Sequence, residues 1–98
     1  MTVSILDLHC LNAVTDDYEN VASILEEVRR TSHGNVSASE LVIALEEMAN
    51  AGLLTPYSLE TRGEAFIAVN PVGKDLSSLW FRITPAGLAE LEANWFDG

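Results

Sequence analysis

The spacing of apolar positions changes along the chain, and each change marks an element. Val21, Ile24, Leu25 and Val28 recur at i, i+3, i+4 and i+7, which predicts a helix with one buried stripe. Thr15 is placed to cap it. Asp16, Asp17 and Glu19 then lend negative charge to the positive end of its dipole, and Arg29 and Arg30 suit the other end. "TSHGN" ends the helix, with Gly34 the expected left-handed residue.

The same period returns in "SASELVIALEEMANAGLL". Leu41, Ala44, Leu45, Met48 and Ala49 gather on one side of a helical wheel; Ser39, Glu40, Ile43, Glu46, Glu47 and Asn50 gather on the other. Ser37 or Ser39 serves as N-cap, and Ser37 with Glu40 has capping-box spacing. Gly52 stops the helix, and Leu53 and Leu54 return the chain to the core.

After Gly52 the period shortens. Pro56 is expected to end any short strand there, while "EAFIAVN" and "SLWFRIT" predict two strands joined by the polar loop "PVGKDLS". Thr84 and Pro85 open a last helix whose stripe is Leu88, Leu91 and Trp95. Trp80 and Phe81 alternate across the hairpin, so one of them faces inward.

At the amino end, Ile5, Leu6, Leu8, Leu11 and Val14 fall nearly all around a wheel over about Ser4 to Val14. A helix apolar on both sides suggests packing on its own core and on a second copy, hence a homodimer. A short strand is the alternative for this segment.

The order is helix, helix, helix, strand, loop, strand, helix. With "EEMANAGLL" and "WFRITPAGLAELEA" it resembles the winged-helix superfamily, especially the MarR and PadR groups of bacterial regulators. The resemblance rests on Gly52-Leu53-Leu54 as the turn after a recognition helix and on Thr84-Pro85-Ala86-Gly87 as the helix start after the second wing strand. It implies one α+β winged helix-turn-helix domain over residues 1–98, with three helices, a two- to three-stranded wing hairpin and a C-terminal helix. Residues 1–15 form an N-terminal helix or arm, a possible dimer element, and 84–98 the last helix and tail. By position, the groove face of the third helix is Ser39, Ile43, Glu46, Glu47 and Asn50.

Charge changes this picture. Fifteen acidic residues against five basic ones give a net charge of -10, a field that repels DNA phosphates over a Debye length of about 8 Å. Asn50 has the chemistry to read adenine, and Glu46 or Glu47 to accept from cytosine, but phosphate contacts must hold such a reader in register. The candidates are Arg29, Arg30, Arg62 and Lys74. Four phosphate contacts give a salt slope of only about -3.6. DNA binding is therefore disfavoured, and a protein partner with a basic surface fits the same face better. Ile43 would enter an apolar pocket there, or it is an ordinary exposed apolar residue.

No enzyme emerges. Asp7, His9 and Cys10 are near neighbours on one helix, so they diverge instead of converging on one ion. No zinc, phosphate-loop or nucleophile-elbow motif occurs, so no catalytic, metal or cofactor residue is assigned. A small-ligand sensor with a dimer-interface cleft has no specific residue behind it. The single cysteine suits a reducing compartment. No basic, apolar leader precedes Asp7 and His9, and no span of roughly 20 apolar residues occurs. The expectation is a cytoplasmic, non-enzymatic protein of the transcription-regulator type that does not enter membranes.

Overall fold

The computed structural model describes residues 3–32, 34–60, 65–70 and 75–94. Its elements are α1 (Ile5–Ala13), β1 (Glu19–Asn20), α2 (Val21–Ser32), α3 (Ala38–Asn50), β2 (Leu54–Glu60), β3 (Ala65–Ala68), a 3-10 turn (Leu76–Ser78), β4 (Trp80–Ile83) and α4 (Pro85–Asn94). The fold is α+β, with four helices and one four-stranded antiparallel sheet among these residues.

Caps set the helix starts. In α1, the Ser4 hydroxyl accepts from the Asp7 amide at 3.1 Å, and the Asp7 carboxylate accepts from the Ser4 amide at 3.0 Å. This reciprocal pair satisfies two donors that no helical carbonyl reaches. In α3, Ser37 accepts from the Glu40 amide, but Glu40 takes the Ser37 hydroxyl in place of its backbone amide, so only half the expected box forms. Thr15 does not cap α2. Its hydroxyl turns back to the Leu11 carbonyl, and Asn20 caps instead, accepting from the Ser23 amide at 2.9 Å. Asp16 and Asp17 lie in the connection and Glu19 in β1, outside the first turn they were expected to occupy.

Gly52 ends α3 with φ 79°. The Leu53 amide reaches the Met48 carbonyl and the Gly52 amide reaches Ala49, the paired bonds of a Schellman ending. Gly34, expected to be left-handed, does not have a positive φ.

Pro56 does not end the strand after that turn. The strand runs on to Glu60 and is central, in the order β1-β4-β2-β3. In a regular strand the N–H and C=O of one residue face the same neighbour. The Pro56 carbonyl accepts from Val69, on the β3 side, so its missing N–H removes nothing from the ladder to β4. The expected hairpin is accordingly redrawn: β3 and β4 pair not with each other but with opposite edges of β2. The loop expected as a polar wing also returns to the core near its end, where Leu76 is buried. The sheet has four strands where two or three were expected.

Helices cover one sheet face. Phe81 and Leu54 point into it and join Leu11, Ile24, Leu41, Leu45 and Met48, all fully buried. α2, α3 and α4 all pack on α1. Its apolarity is therefore used within one chain, and no second copy is needed to account for it; only Ile5 is left outward, at 75% exposure. In α4 the buried positions are Gly87 and Leu91; Leu88, assigned to the buried stripe, is 38% exposed, and Trp95 lies outside the described residues.

The start of α4 is tied to the end of α3. Thr84 donates through its hydroxyl to the Gly52 carbonyl at 2.6 Å and through its amide to the Leu53 carbonyl at 3.1 Å, while accepting from the Gly87 amide. The Gly-Leu turn and the Thr-Pro-Ala-Gly helix start are thus one joint.

Candidate functional site

α3 buries Leu41, Ala44, Leu45 and Met48 and so must turn its other side outward. Ser39, Ile43, Glu46, Glu47 and Asn50 are all exposed there, spaced along one side of the helix. Ile43 is 57% exposed. No Lys or Arg occurs between Ala38 and Asn50, so this face is an apolar side chain among carboxylates.

The cations expected to meet phosphate are placed otherwise. The Arg29 Nε donates to the Val36 carbonyl at 2.9 Å, just before α3. Arg30 pairs through two nitrogens with both carboxylate oxygens of Glu27. That pair is on the surface and is of little energetic worth. Arg62 and Lys74 lie outside the described residues. Arg82 sits 5.2 Å from the Tyr18 ring centroid, a cation–π contact on the far face of the sheet.

Two surface grooves flank α1. One, about 430 Å³, is lined by Asp16, Asp17, Glu19, Glu26 and Glu27 with Asn12 and Ser23. The other, about 370 Å³, lies between the start of α1 and the outward side of α3; Leu6, Ile43 and Ala44 give it apolar walls, and Asp7, Glu40 and Glu47 border it. Of its α3 lining, Ile43 and Glu47 belong to the groove face read from the sequence, whereas Glu40 and Ala44 do not, and Leu6 and Asp7 meet α3 only through tertiary packing.

The titratable residues of α1 are occupied structurally. Asp7 is the buried half of the Ser4 capping box. Cys10 faces the core, where burial, reinforced by the Asp7 charge, pushes its thiol up to about 12. Thr31 Oγ1 lies 3.0 Å from both His9 Nδ1 and the Glu27 carbonyl, so when its one proton goes to Glu27, His9 is the donor between α1 and α2. His33 lies outside the described residues. Among the described residues no group of three or more His, Cys, Asp or Glu is arranged to hold a metal ion.

A further cluster went unread in the sequence. On the sheet face away from the helices, Tyr18 stacks on Phe66 with centroids 3.9 Å apart and meets Tyr57 edge-on at 4.8 Å. Phe66 meets Trp80 edge-on at 5.5 Å. Trp80 thus faces outward and Phe81 inward, as strand alternation requires. The rings come from separate segments, so no local pattern joins them.

No helix among the described residues is long and apolar enough to cross a membrane. The chain matches no protein-family model and no curated protein sequence.

Proposed function

We propose that this protein is a non-enzymatic interaction module of winged-helix type, docking a protein partner of basic surface through the outward side of α3. The observation that carries this is Ile43, exposed between Glu46 and Glu47 on a helix without a single cation. An apolar anchor ringed by carboxylates is complementary to an apolar pocket ringed by Lys or Arg. The winged-helix reading draws on the order of elements and on the joint between the Gly52 turn and the Thr84 helix start.

A second reading has one observation in its favour. Arg29 is fixed to the Val36 carbonyl beside the start of α3, where a DNA-binding regulator needs a phosphate contact, and Arg30, Arg62 and Lys74 would add to it.

Anisotropy of labelled random duplex DNA, titrated with the protein at low and then moderate salt, separates the two. The interaction reading expects no DNA binding even at low salt. Binding that falls steeply with salt and is lost in Arg29→Ala would overturn it in favour of the regulator.

A further inference from the structure

We infer that the groove between α1 and α3 receives a helix of the partner, one that presents an apolar side chain between two basic ones. This rests on the interaction reading above and specifies its occupant. Glu40 and Glu47 are two helical turns apart, about 10 Å along α3, and Ile43 and Ala44 lie in the turn between them. Leu6 and Asp7 of α1 line the other wall. From one end to the other the groove therefore runs carboxylate, apolar floor, carboxylate.

Both walls are helices, α1 and α3. No strand edge is there to pair with an extended segment, so an occupant must arrive with its own backbone bonds made, as a helix does. The matching helix carries Leu, Met or Phe at one position and Lys or Arg three or four residues before and after it. A second copy of this chain is a poor occupant, because pairing the groove with itself would set Glu40 and Glu47 against their own copies.

The probe is a fluorescein-labelled synthetic helix of alanines with one central leucine and a lysine three or four residues to each side. One twin carries glutamate in place of the lysines, and another carries proline in place of the alanine next to the leucine. Binding is read by anisotropy against the full chain and against Glu47→Lys, Ile43→Asp and Glu46→Lys. These side chains are exposed, so the variants keep the fold, which circular dichroism checks.

The leucine–lysine helix is expected to bind, and both twins to fail. Glu47→Lys and Ile43→Asp are expected to weaken binding about tenfold, while Glu46→Lys, off the groove, stays within about twofold. Equal weakening by Glu46→Lys and Glu47→Lys overturns the groove but leaves docking on the acidic face standing. Binding of the proline twin overturns the helical occupant, and absence of binding by every peptide overturns the groove itself. DNA binding abolished by Arg29→Ala overturns the interaction reading instead, so the two failures are distinct.

Discussion

Replacing Gly87 by alanine sets two physical effects of opposite sign against each other. Gly87 lies in the first turn of α4, and on helix propensity alone alanine there gains about 1 kcal/mol. The structure opposes that gain. A Cβ built on Gly87 falls 1.9 Å from the Leu53 carbonyl oxygen and 2.9 Å from Ile83 Cγ1. The first contact is more than an ångström inside any approach a real Cβ makes, and its partner is backbone, which cannot swing aside. α4 must withdraw, and overpacking of this kind costs about 1–3 kcal/mol. Withdrawal also stretches the two bonds from Thr84 to Gly52 and Leu53, each worth about 1 kcal/mol net. Against the propensity gain, Gly87→Ala is expected to lose about 2–4 kcal/mol, a large share of the roughly 5–15 kcal/mol of a small domain. Urea denaturation followed by circular dichroism reads the loss, and the melting temperature should fall by roughly 10–25 °C. Gly34→Ala is the control: it meets only Ser32 at ordinary contact distance and needs no positive φ, so it should be neutral or stabilising by a few tenths. A Gly87→Ala protein as stable as the parent, or more so, would refute the close approach.

Two other perturbations probe the packing. Below pH 9 the Cys10 thiol is neutral whether the chain is folded or not; between pH 9 and about 12 the unfolded thiol ionises and the buried one does not. Stability should therefore fall across that window by up to about 1.4 kcal/mol per pH unit, and Cys10→Ala should show a shallower alkaline slope in urea midpoints; parallel slopes would contradict the burial. A thiol reagent at pH 8 should likewise modify Cys10 no faster than the protein unfolds. Tyr18→Ala removes one ring and with it a stacked contact, an edge-on contact and the seat of Arg82, and is expected to destabilise by about 2–3 kcal/mol, a loss that Tyr18→Phe should largely avoid. A urea midpoint unchanged in Tyr18→Ala would show the rings to be decoration.

What could be read from the sequence was what is local. The stripe of α2, the two sides of α3 and the Thr84 cap each depend on residues within a turn or two, and each is found where its pattern put it. β1 had no such signal. Glu19 and Asn20 are a strand only because Trp80 and Phe81, some sixty positions later, lie beside them. Pro56 misled because a proline reads as a breaker until the neighbour its nitrogen faces is known. Leu88 misled for a subtler reason: the residue in its place on the core side of α4 is Gly87, which adds nothing to a hydropathy pattern. For the candidate site, the α3 side follows from one wheel, whereas the opposing wall of the groove and the ring cluster exist only in three dimensions.

The joining of α1 and β1 to β4 and α4 also bears on when the fold can be completed during synthesis. Ile83 donates to the Val14 carbonyl, β4 supplies the partner of β1, and α4 packs on α1. On the ribosome, Leu8, Leu11 and Val14 emerge before α2, α3, β2 and β3, yet β4 and α4, which help enclose them, follow only after all of these. Until then the nascent chain carries an apolar helix with part of its surroundings missing, the condition in which chains stick to one another or are held by chaperones. A slowdown in translation between α1 and α4 would lengthen that interval, and one placed after α4 has emerged would not.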